Sequence, residues 1–199
     1  MRPRRGLIAG VLATAALGAC TGTHAAATSS SSTTAGVAPP LVSTPPPWPA
    51  PTVGVSALAA EAGLPMLPSE ALIEHIHAHL ELFYEGQAIT VPANLGIDYS
   101  AGRISPLHTH DATGIIHIES PEVKPYYLGQ FLTEWGLQNG SGCLAGQCPP
   151  AHPVAVYVNG SPSPIPLEKV EITAHAEIAV VVGTPPATIP KSYSFPSGY

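Results

Sequence analysis

Charge is scarce in this chain. Only 10% of its 199 residues are Asp, Glu, Lys or Arg, against roughly 25% in an ordinary soluble domain. Basic residues are the rarest. There are seven, and three of them (Arg2, Arg4 and Arg5) fall within the first five positions. Arg103, Lys124, Lys169 and Lys191 are scattered among 13 acids. Such a chain offers no cationic stripe to neutralise phosphates, so nucleic acid is excluded as a partner. Soft sulfur ligands are few as well: three Cys, and two Met at positions 1 and 66. That argues against a cuprous site, and against a blue-copper loop with its Met. The apolar run from Gly6 to Leu17 is too short for the ~20 residues of a membrane-spanning helix.

What is abundant is Pro (24), Gly (19) and apolar side chains (45%). That mixture supports one domain with a real core plus an unfolded segment, and it does not suggest a helical bundle. The expected fold is mainly β: a single β-sandwich or barrel-like domain with one short amphipathic helix.

Residues 1–19 have a basic start, an apolar stretch and small residues before a cysteine, which is the layout of a secretory signal. Leu17-Gly18-Ala19-Cys20 resembles the lipobox of bacterial lipoproteins. The resemblance implies that Cys20 is acylated (a palmitate-type anchor) and becomes the first residue of the mature chain. It also implies an exported protein held on the outer face of the cell membrane. With Cys20 lipidated, Cys143 and Cys148 remain as a pair. Export to an oxidising compartment predicts a disulfide between them. The alternative makes Cys143, Cys148 and His152 ligands of one ion.

Residues 20–53 carry a Ser/Thr run from Ser29 to Thr34 and seven prolines between Pro39 and Pro51. This composition predicts a solvated tether. The domain is expected over 54–199, ending in an irregular tail. Short helices are expected in VSALAAEAGL and KPYYLGQFLTEWG, the latter with Pro125 in its first turn and Gly136 as its cap. PVAVYVNG, LEKVEIT and AEIAVVVG read as strands.

Six of nine histidines lie between His75 and His117. As a strand, residues 74–83 put His75, His77, His79 and Glu81 on one face, and Ile76, Ala78, Leu80 and Leu82 on the other. As a helix, His75 and His79 would be neighbours and His77 would point away. The strand is preferred, because Phe83-Tyr84 leads into a turn at Glu85-Gly86 and a second β-like run. RISPLHTHDATGIIHIES reads as a hairpin. If Asp111–Gly114 is a four-residue loop, His108 opposes His117 and His110 opposes Ile115, so three imidazoles share a face.

Neutral imidazole is a good ligand for Zn²⁺ and Cu²⁺. His108, His110 and His117 are therefore candidate ligands. His75, His77 or His79 could complete the site from a neighbouring strand, and Asp111 or Glu119 could orient a ligand. The function expected is sequestration or delivery of Cu or Zn. The alternatives are a metalloenzyme, or a metal-free interaction protein of the envelope whose histidines are ordinary surface residues. A row of His in an acidic protein also changes charge near pH 6.

The HxH strand is similar to those of copper–zinc superoxide dismutases and α-carbonic anhydrases, and HIHAHLE contains the HxH-three-residues-E element of cupins. These likenesses stop at a few positions. The dismutase glycine frame is missing, the domain is short for the anhydrase, and the cupin glycine spacing fails. Most of 72–160 resembles an uncharacterised exported actinobacterial family. It is carried by HxHxHL, a Pro-Ala-Asn/Gly hairpin, LHTHD, GIIHIES, LGQFLTEWG and VYVNG in this order. That resemblance implies export but no particular activity.

Overall fold

The computed structural model describes residues 37–137 and 142–199. Residues 1–19, where a secretory signal is expected, Cys20 and the Ser/Thr run lie outside the described residues. Among the described residues no helix is long and apolar enough to cross a membrane.

The domain is mainly β. In chain order its elements are α1 (Val55–Glu61), β1 (Glu74–Tyr84), β2 (Gln87–Ile89), β3 (Ile97–Asp98), β4 (Arg103–Ile104), β5 (Leu107–His108), β6 (Ile115–Ser120), α2 (Leu128–Glu134), β7 (Val154–Val158), β8 (Ser161–Pro162) and β9 (Glu177–Val182). Seven strands form an open sheet in the order β5-β6-β1-β9-β7-β8, with β2 beside the far end of β1; β3 and β4 pair separately. The sheet does not close, so the barrel-like form is not adopted. The described residues include two short helices, within VSALAAEAGL and KPYYLGQFLTEWG as expected.

β1 is the spine, and the strand reading of the first histidines holds. Ala78, Leu80 and Leu82 point into the main core, with Ile116 and Ile118 of β6 and Ile178, Val180 and Val182 of β9. Leu128, Phe131, Leu132 and Trp135 of the α2 region cover the same face. Cutting a buried Leu such as Leu80 back to Ala costs about 2–5 kcal/mol. Glu85 and Gly86 both adopt positive φ, as a tight two-residue hairpin turn between β1 and β2 requires.

Several boundaries differ from expectation. Residues up to 53 do not all belong to a free tether. Trp48 is buried in the core, its indole N–H donates to the Thr44 carbonyl, and the Val42 amide donates to the Gly136 carbonyl. A large aromatic ring among the prolines had enough apolar area to anchor that stretch. Helix α2 starts at Leu128, three residues after Pro125, where the Tyr127 amide donates to Gln130 Oε1. LEKVEIT is not a strand. It makes a short 3₁₀ turn at Leu167–Lys169 and then touches the chain before α2 through one bridge, Tyr127 to Glu171. Val170 and Ile172 face the core there, so their apolar alternation serves helix packing, not the sheet.

The second face of the sheet carries the histidines. It is not open to water, as a simple polar-out alternation would have it. The segment 184–199 runs over it without regular structure. Tyr193 stacks on His79 at 3.7 Å between ring centroids, and Tyr199 lies 4.6 Å from His77. His77, His79, His108 and His117 are all buried.

Candidate metal centre

Three strands build the site. In the register, His77 of β1 lies opposite His117 of β6, and His117 lies opposite His108 of β5. Directly opposed residues share a face, so the three rings form a row across the sheet. His110 joins them from the loop, although not by the route expected. The β5–β6 ladder stops at His108, and His110 does not pair with Ile115. The loop spans 109–114 because Thr109 bonds elsewhere. Its amide donates to the Leu95 carbonyl, its carbonyl accepts from Asn94, and its hydroxyl donates to the Pro92 carbonyl. Gly96 lets that neighbouring loop close in. It has a φ of +72°, and a Cβ there would meet the Leu107 carbonyl oxygen at 2.2 Å.

The resulting geometry is tight. His108 Nε2 and His110 Nε2 are 3.2 Å apart. The His110 and His117 ring centroids are 4.5 Å apart, and those of His108 and His117 are 5.2 Å apart. Potential ligand atoms of His108, His110, His117 and Glu119 all lie within 4.8 Å of one another. Hydrogen bonds orient two of the rings. His108 Nδ1 sits 3.0 Å from the Ser105 carbonyl. A carbonyl only accepts, so Nδ1 carries the proton and the Nε2 lone pair is left facing His110. His117 Nδ1 lies 3.2 Å from Glu119 Oε1. An ionised Glu119 accepts from it, and the lone pair of Nε2 is again freed. This is the usual way that outer groups fix the tautomer of a metal-binding imidazole.

Electrostatics point the same way. Burial, then the nearby His110, holds His117 at a pKa of about 4. Burial holds His108 at about 3, with His110 adding to it. Burial and then His75 hold His77 at about 4. Three imidazoles are therefore neutral at pH 7, with lone pairs available. Burial and the neighbouring Glu70 push Glu119 up.

His75 and His77 form a second group with Glu119, again with ligand atoms within 4.8 Å. His79 is diverted. Its Nδ1 is 2.8 Å from Glu177 Oε2 and its Nε2 is 2.9 Å from the Thr113 carbonyl. His79, Glu81 and Glu177 also cluster, but both ring nitrogens of His79 are already engaged. Gly114 makes this possible: a Cβ there would stand 2.5 Å from the Leu80 carbonyl and 3.0 Å from His79 Nε2. Asp111 does not orient a histidine by hydrogen bonding. Its carboxylate caps the loop by accepting from the Thr113 amide and hydroxyl.

Cys143 and Cys148 are joined by a disulfide. Their sulfurs are not ligands, and His152 pairs instead with Glu85 at 3.1 Å. The sequence did not single out Ser105, Glu70, Glu177 or the tyrosines of 184–199. Only the aromatic spacing of SYSFPSGY hinted that this tail packs.

No family model, curated protein or solved structure matches this chain. The site has to be read from its own chemistry.

Proposed function

We propose that this chain is an exported, lipid-anchored protein whose domain binds a divalent transition ion, Cu²⁺ or Zn²⁺, through His108, His110 and His117, for sequestration or delivery. The observation that carries the reading is the paired orientation of His108 and His117. Each has its Nδ1 held by an acceptor, which frees its Nε2 lone pair. The Nε2 of His108 stands 3.2 Å from that of His110, and the His117 ring is 4.5 Å from the His110 ring. An all-nitrogen set with a carboxylate nearby, and no thiolate or thioether, suits Cu²⁺ or Zn²⁺ better than Cu⁺. Anchoring rests on the lipobox-like sequence ending at Cys20. The likeness of residues 72–160 to an exported actinobacterial family agrees with it.

Two measurements test the proposal. Metal analysis and calorimetric titration with Zn²⁺ and Cu²⁺ should find tight binding in the wild type. Binding should be lost when His108, His110 and His117 are all replaced by Ala. A variant set that binds as the wild type does removes the assignment. For the anchor, Cys20→Ala should shift the protein from the detergent-rich to the aqueous phase. Intact mass of native protein with an unmodified Cys20 would refute lipidation.

A further inference from the structure

Resting on that reading of the first ion, we infer that the site holds a second divalent ion beside it, bound by His75, His77 and Glu119. The cluster contains five imidazoles, more than a single ion of the Zn²⁺ or Cu²⁺ kind takes from a protein. They fall into two groups on either side of Glu119. His108, His110 and His117 lie toward β5, while His75 and His77 stand on β1.

Glu119 has the two oxygens that such a site needs. Its Oε1 is occupied, 3.2 Å from His117 Nδ1 and 3.5 Å from His75 Nε2. Its Oε2 is buried and has no hydrogen-bond partner, on a side chain only 5% exposed. A buried carboxylate oxygen with no donor is costly, and in a native protein it calls for an explanation such as an ion. An ion bound by Oε2 with the imidazoles of His75 and His77 supplies one. The His75 and His77 rings are 5.0 Å apart, and His77 also faces His117 across the ladder. Glu119 then plays two roles at once. Oε1 orients His117 toward the first ion, and Oε2 ligates the second.

The second ion also accounts for the composition of the edge. His75 is 44% exposed and reaches the carboxylate from the solvent side. Glu70 is exposed and lies 3.4 Å from His110. The two carboxylates, Glu70 and Glu119, together offset half the charge of two divalent ions. The ligand class is thus a pair of Zn²⁺ or Cu²⁺ ions.

The test is stoichiometry on the full chain in detergent, read by native mass spectrometry after titration with Zn²⁺. The wild type should take two ions. His75→Ala, a change at an exposed position, should weaken the second ion by about tenfold or more and leave one tightly bound, whereas Glu119→Gln, which keeps the shape but also alters the acceptor on His117, should weaken both ions. A circular dichroism melt verifies that each variant is folded. Two ions retained at unchanged affinity in both variants would overturn the second site. So would a single ion in the wild type that His75→Ala does not touch, although the first site would then stand. A wild type that takes no ion at all would overturn both readings.

Discussion

His77 and His117 stand directly opposite each other in the β1–β6 ladder, with ring centroids 4.6 Å apart and planes at 89°. Neither is free to move to solvent. Tyr199 lies against both, at 4.6 and 5.5 Å. Two imidazoles so placed tolerate each other while neutral and repel when both are protonated. The same is true of His108, which stacks on the other side of His117. Burial, with the repulsion that protonation would bring, keeps these rings neutral, so the sheet presents a set of lone pairs that suits a divalent ion.

The first prediction is a fall in the stability of the metal-free protein in acid. The pKa values of His77, His108 and His117 are lowered from 6.5 to about 4, 3 and 4. Between those values and 6.5 the unfolded chain binds more protons than the folded one, so stability rises with pH in that window. Read downward, stability is full above about 6.5 and is lost as pH falls toward 4 and 3. The slope contributed by each group approaches about 1.4 kcal/mol per pH unit. Saturating Zn²⁺ should raise the melting temperature at pH 7, and excess chelator should reverse it. Urea titrations of the metal-free protein at pH 4.5, 5.5 and 7 check the sign. A flat profile from pH 7 to 4.5 would contradict the buried arrangement of these rings.

The second prediction concerns Glu134 on α2. It is fully buried, and burial, opposed only in part by Ser105, pushes its pKa up from 4.5 to about 8. Here the sign is opposite. Between 4.5 and 8 the folded state holds a proton that the unfolded chain has released, so stability falls as pH rises through that window. Glu134→Gln keeps the shape and removes the proton. It should be close to neutral below pH 4.5 and should stabilise by a few kcal/mol at pH 8. The difference between variant and wild type in chemical denaturation at pH 4, 6 and 8 isolates the effect. A difference that does not grow with pH would show that Glu134 folds as an ionised group.

Much of this was legible from alternation. Ile76, Ala78, Leu80 and Leu82 set the core face of β1, and the same period of two put His75, His77 and His79 on the other side. The opposition of His108 and His117 followed from the GIIHIE strand and a turn before it. The loop between them did not, because Thr109 is claimed by Pro92, Asn94 and Leu95, which are distant in sequence. The fate of His79 was hidden for the same reason. Glu177 lies 98 residues away, and parallel pairing of β1 with β9 sets it beside His79. Nor could composition say that Trp48, in a proline-rich stretch, would enter the core. Local pattern fixes faces, whereas partners across the chain decide which polar groups on a face are free.

The last prediction concerns Tyr199. Its ring lies over His77 and His117, and its carbonyl oxygen is 3.1 Å from His175 Nε2. Upstream, Tyr193 stacks on His79, and Phe195 packs against both Tyr193 and His175. Tyr199 is thus one aromatic contact among several that press the segment 190–199 onto the histidine face, and it is the one nearest the candidate ligands. An ion leaving His117 on the side that this ring covers meets Tyr199. Tyr199→Ala should therefore speed metal release to a chelator by about tenfold, while the ligand set and the stoichiometry stay as they are. Tyr199→Phe keeps the ring and should release at the wild-type rate. Stopped-flow transfer of Zn²⁺ to a fluorescent chelator measures both. If Tyr199→Phe releases as fast as Tyr199→Ala, the phenol oxygen is the group that matters and the covering ring is not. If neither differs from wild type, access to the site runs from the Glu70 and His75 side.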